Sequence, residues 1–228
     1  MSSAAPGRSP LRPFVWSAAL WLPACFTLWA LSSSLLVWMV VQVLNLLLPA
    51  LLPYAVSAVE QHAVVFEVVT KLQTGQQEQG RVGVLVLTGT PLIYAWCMAL
   101  YAGLVMATPL ENRDWWKQLG IGLPVLFLVT LWGAGFEVLK QLTFDAGPLG
   151  AAVIERAGLA PSAVALGYQF GYLILPPVMP VVLWVGLNQA FLRQLVGWSG
   201  EPAADSVSQS RIDQADSASV SATDQDSP

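Results

Sequence analysis

Apolar residues fall along this chain in long blocks separated by short polar interruptions. Three blocks supply the roughly 20 largely apolar residues that a helix needs to cross about 30 Å of hydrocarbon. Pro91–Leu110 is uncharged and closed by Glu111, Arg113 and Asp114. Gly120–Val138 carries only Glu137, and Ala163–Leu192 is uncharged and closed by Arg193. The last block exceeds a bilayer, and Pro176, Pro177 and Pro180 predict a bend in it, because each removes a backbone donor and crowds the preceding turn. A fourth block, Phe14–Leu52, would reach roughly 60 Å as one straight helix. Ser32, Ser33 and Ser34 divide it into Phe14–Leu31 and Leu35–Leu52. The first half is expected to cross and the second to lie along the far interface, with Gln42 and Asn45 on one helical face. Two crossings by the two halves is the alternative.

The polar stretches have patterns of their own. His62–Leu72 and Arg81–Thr88 are rich in β-branched residues and flank the polar, glycine-containing connector Gln73–Gly80, which predicts a β-hairpin. An isolated hairpin is marginal in water, so it should pack on the membrane body or on a partner. Gln141–Ser162 reads as a second external segment, with a helix starting at Ser162. After Trp198 the chain is dominated by Ser, Asp, Ala and Gln and cannot bury enough apolar surface to offset its ordering entropy. The expected organisation is a cytoplasmic N-terminal segment at 1–13, a multi-pass membrane domain at 14–197 with the hairpin at about 62–88, and a disordered acidic tail at 198–228. The fold class is an all-α integral membrane helical bundle of about four transmembrane helices with a small external β-hairpin.

Composition reinforces this reading. Charged residues make up 11% of the 228-residue chain, against about 25% in a typical soluble domain. The net charge of −4 is local: residues 201–228 hold six acidic side chains and Arg211 alone, while positions 1–200 are near neutral. The body offers no basic stripe to nucleic acid. Arg8, Arg12, Arg113, Lys117 and Arg193 sit tightly at membrane ends. Lys71, Arg81, Lys140 and Arg156 fall in the other loops. That distribution favours four crossings with both termini in the cytoplasm.

Candidate chemistry is sparse. Leu22-Pro-Ala-Cys25 resembles a lipoprotein cleavage box, but Pro23 and the apolar run Phe26–Leu31 favour a retained anchor. Cys25 and Cys97 would need His62 as a base to act as nucleophiles. Cysteines in apolar spans more often behave as small hydrophobes. Two cysteines and one histidine are too few for a structural zinc site, and no cofactor is expected. Trp115, Trp116, Trp132, Tyr172 and Trp198 suit membrane-interface belts. Gly133, Gly135, Gly167 and Gly171 offer small surfaces for close helix contact. Glu137 and Lys140, three residues apart, share one face at the outer end of their helix. They are the candidate partner-binding or structural polar face, since an ionisable residue within a span raises a functional hypothesis.

Several segments together resemble the exosortase H-associated membrane proteins of bacteria. They are Pro91-Leu-Ile-Tyr94, Ala107-Thr-Pro109, Trp132-Gly-Ala-Gly-Phe-Glu-Val-Leu-Lys-Gln141, Leu166-Gly-Tyr-Gln-Phe-Gly-Tyr-Leu-Ile-Leu-Pro-Pro177 and Leu187-Asn-Gln-Ala-Phe-Leu192. The likeness covers roughly residues 13–195. It implies a companion of an exosortase, the multi-pass, transpeptidase-like enzyme that processes C-terminal sorting signals of exported proteins, in this system of the IPTL type. An exosortase itself uses a Cys, an Arg and a His, and this chain lacks matching motifs around Cys25, Cys97 and His62. The resemblance therefore implies a non-catalytic accessory protein of the bacterial inner membrane, with an exosortase-type enzyme and the lipid bilayer as partners. A small transporter or channel component is the alternative, motivated by the proline-broken last helix.

Overall fold

The structure, a computed structural model, describes residues 11–78, 81–109 and 112–196. The expected acidic tail, and the N-terminal segment up to residue 10, lie outside them. The chain divides into a body, Met1–Gln189, and a C-terminal unit, Ala190–Pro228.

The body is a mostly helical bundle with a small antiparallel sheet. Helix α1 spans Leu11–Leu31 and α2 spans Ser33–Leu51. The division falls at the serines, as the sequence predicts, but the helical bonding carries through it. Ser32 N–H donates to Leu28 O at 3.0 Å and Leu36 N–H donates to Ser32 O at 3.1 Å. The Ser32 hydroxyl also bonds Leu28 O at 2.8 Å, the back-bonding that bends helices. Helix α2 therefore continues onward from α1. Its stripe of Val37, Val40, Val41, Leu44 and Leu48 is buried and joins Val56, Val59, Phe66 and Val68 of the sheet in one apolar cluster.

That sheet contains the expected hairpin as its antiparallel second and third strands and adds a strand before it. It has three strands in the order β1-β2-β3: β1 Val56–His62, β2 Val65–Glu78 and β3 Arg81–Gly89. Strand β1 lacks a sequence signal, because Val56-Ser-Ala-Val-Glu-Gln-His62 is poor in the β-branched residues that mark its neighbours. It is held by α2 as well as by β2: the Asn45 side chain accepts from Val59 N–H at 2.9 Å. The polar run Gln73–Glu78, expected as a connector, extends β2, pairing Gln73 with Val84 and Gln77 with Val82 across two register shifts. Gln79 and Gly80 lie outside the described residues.

Helix α3, Leu92–Ala107, sits centrally and packs against α1, α4 and α7. Helix α4, Asn112–Lys140, continues into a π turn at Gln141–Asp145. The expected external segment that follows is structured. Helix α5, Gly147–Arg156, ends in a Schellman cap: Gly158 at φ +70° donates to Glu155 O, and Leu159 N–H donates to Ile154 O at 3.1 Å. This is the position where glycine adopts the left-handed backbone without a Cβ clash. Helix α6, Pro161–Gln169, starts one residue before the expected Ser162, passes through a π turn at Phe170–Ile174, and resumes as α7, Leu175–Leu187. The widened turn lies immediately before Pro176, where the missing proline donors disrupt the regular ladder. The span expected to reach Leu192 stops at Leu187. In the C-terminal region, α8 covers Gln189–Val196.

Among the described residues, four helical segments are long and apolar enough to cross a membrane: Pro13–Leu31, Ser33–Leu51, Asp114–Asp145 and Pro161–Leu187. Helix α3 is apolar but shorter, about 24 Å at the α-helical rise.

Candidate functional site

Three of the segments that carry the family resemblance, 91–94, 132–141 and 166–177, converge near the sheet end of the bundle. Tyr94, in the first turn of α3, is fully buried because Gly133 of α4 leaves room for its ring. A Cβ on Gly133 would run into that ring. The same device recurs across the α4–α6 contact, where Gly167 accommodates Phe136 and Gly171 accommodates Trp132. Trp132 stacks on Phe136 with centroids 4.7 Å apart and donates its Nε1–H to Gly167 O at 3.1 Å. Tyr172 meets Tyr94 edge-on at 6.3 Å and stacks on Tyr168 at 5.8 Å.

Glu137 turns into this aromatic shell. Its carboxyl group faces the Tyr94 hydroxyl and the backbone of Thr90. Among the described residues, neither Tyr94 Oη nor Glu137 Oε2 has a partner in hydrogen-bonding geometry, and both atoms are buried. Lys140, the other residue of the candidate face, points elsewhere: its ammonium bonds Asp145 at 2.7 Å, across the π turn. The two side chains share a face but not a partner. Gln141, one residue further, ties the helix to the sheet by donating to Thr88 O at 2.8 Å.

A second polar cluster, absent from the sequence reading, lies at the opposite end of the bundle. Gln118 and Asn188, both buried, exchange reciprocal amide bonds of 2.9 Å, linking α4 to the end of α7. Asn188 also donates to Trp184 O, and Tyr101 Oη donates to Gln118 O at 2.8 Å. Trp184 Nε1–H donates to Thr108 Oγ1 at 2.9 Å. Thr108 and Asn188 lie inside two of the resemblance segments, which is the signal that could have pointed here.

The thiols and the histidine are not brought together. Cys97 is buried in α3, and Cys25 lines an apolar cavity with Trp29, Met98 and Ala102. His62 sits on β1 beside Glu67 at 3.5 Å and Glu60 at 3.9 Å. Among the described residues, no group of three or more His, Cys, Asp and Glu side chains is arranged to hold a metal ion. Cys25 also lies within the continuous helix α1.

Apolar helices of crossing length, bound into one bundle through buried glycine contacts and paired amides, define a multi-pass membrane protein. The chain belongs to the exosortase H-associated membrane protein family, whose model matches residues 8–191. No curated protein and no solved structure matches it.

Proposed function

We propose that this protein is a non-catalytic accessory subunit that works beside exosortase H in the bacterial inner membrane, where C-terminal sorting signals are processed. The match over residues 8–191 carries this reading. The separation of both thiols from His62 supports a non-catalytic role. The transporter or channel alternative rested on the broken last helix. That break instead packs Gly171 against Trp132, and nothing else favours the alternative.

In the proposed topology α1, α3, α4 and the α6–α7 segment cross, both termini are cytoplasmic, and α2 lies at the outer interface beneath the sheet. Open sheet edges are not tolerated in hydrocarbon. The sheet is bonded to α2 at Asn45 and, through Gln61 Nε2, at Ser34 O, which supports a place for α2 at the interface instead of across the middle of the bilayer. The basic residues at short helix ends support the same orientation. Reporter fusions after Arg113 and Arg193 should read cytoplasmic, and fusions within Gln73–Gly80 external. An external reading at Arg113 would overturn the topology.

Glu137 and Lys140 are the proposed polar face toward the partner or within the bundle. Tagged protein isolated from native membranes should carry exosortase H with it after crosslinking. Glu137→Ala and Lys140→Ala should each reduce the recovered enzyme, and their effects should add, because the two side chains have different neighbours. Recovery of no exosortase from crosslinked native membranes would refute the accessory role.

A further inference from the structure

We infer that the sheet end of the bundle holds a specific site for an anionic glycerophospholipid, with an acyl chain between α2 and α4 and the phosphate between Lys71 and Arg156. Two adjoining cavities carry the inference. The first, about 580 Å³, runs between α2 and α4 and is lined by apolar side chains such as Leu47, Leu48, Leu131 and Leu139. It lies within the size range of small-molecule sites. Gly135 opens onto it, and a Cβ there would meet nothing within 4 Å. The second, about 510 Å³, shares Leu51, Leu52 and Ala157 with the first and leads to Tyr54 and Arg156.

Charge identifies the occupant. The Arg156 guanidinium lies 3.8 Å from the centre of the Tyr54 ring. Lys71 reaches the same segment from β2, donating from Nζ to Pro53 O at 2.7 Å. Lys140 and Lys117 are neutralised by Asp145 and Asp114, but neither Lys71 nor Arg156 forms an ion pair with a described residue. Glu155, next to Arg156 in sequence, does not pair with it either. Arg156 lines the second cavity and Lys71 bonds Pro53 at its wall, so two cations without a counter-charge border an apolar groove, a pairing that matches a lipid with a negative headgroup. A neutral lipid would leave both cations without a counter-charge. A soluble phosphate would leave the groove unused.

The test uses full-length protein in nanodiscs of equal phosphatidylcholine and phosphatidylglycerol, with retained lipid counted by native mass spectrometry after detergent exchange. The expected preference for phosphatidylglycerol is about thirtyfold for two cations at an interface. Lys71→Ala combined with Arg156→Ala should abolish the preference, while Arg156→Lys should keep most of it. Gly135→Leu, which projects a side chain into the groove from a position where a Cβ has open space, should reduce retention of both lipids. Excess inorganic phosphate should displace nothing. Equal retention of the two lipids by the unaltered protein would overturn the site, as would an unchanged preference in the double variant. Displacement by phosphate would assign the cations to a soluble anion and overturn the lipid.

Discussion

Gly133→Ala is expected to destabilise the bundle by about 1–3 kcal/mol, the usual penalty for overpacking a core, whereas Gly135→Ala two residues away should stabilise it by up to about 1 kcal/mol. Both glycines belong to the same helix and the same motif, so propensity alone would give both changes the same sign. Their surroundings differ. A Cβ on Gly133 would run into Cδ1, Cγ and Cε1 of the Tyr94 ring, while one on Gly135 meets nothing within 4 Å. The clash is with the root of a fully buried ring, which cannot swing away as the tip of a flexible chain would. Either the ring leaves its pocket, exposing Glu137, or α3 withdraws from α4. Unfolding of purified variants in detergent, followed by near-ultraviolet circular dichroism, measures both changes. Equal shifts of the same sign would show that α3 and α4 do not approach closely at Gly133.

Asn188→Leu should remove about 1–3 kcal/mol, the cost of leaving a buried polar partner unsatisfied. The Gln118 amide would lose both reciprocal bonds, and it is buried away from solvent that could replace them. Replacing both residues with leucine removes the orphan along with the bond, so the double variant should lose less than the sum of the single changes. Interhelical bonds in membranes average about 0.6 kcal/mol and reach about 1.7 kcal/mol in double-mutant cycles. A coupling near the upper value is expected here because two bonds are broken together. Additive losses would mean that the two amides do not act as a pair.

The bundle was legible because a span needs only length and apolarity, which local sequence states directly. The serines marked the α1–α2 division, and the prolines marked the break before α7. Elements held by tertiary contacts were not legible. Strand β1 depends on Asn45 and β2 for its bonds, and the glutamines that extend β2 have no strand preference that would reveal them. Helix α5 did carry local signals, Pro148 at its start and Gly158 at its end, but its ten residues are too few and too weakly apolar to read as a span. The candidate site was half visible. Glu137 and Lys140 stood out as charges near an apolar block, and helical periodicity put them on one face. Periodicity could not show that Asp145, brought close by a π turn, takes Lys140 while Glu137 turns toward Tyr94. Gln118 and Asn188 are 70 residues apart, and nothing local links them.

Whether this protein assists exosortase H without itself catalysing is decided by the processing of a sorting-signal protein in cells lacking this chain. The cells are complemented with the triple variant Cys25→Ala, Cys97→Ala and His62→Ala. Cleavage is expected at the level supported by the unaltered chain, because Cys97 and Cys25 pack as apolar groups in the bundle and His62 faces Glu60 and Glu67. Loss of cleavage by a variant that accumulates normally in the membrane and still recovers exosortase H would contradict the accessory role.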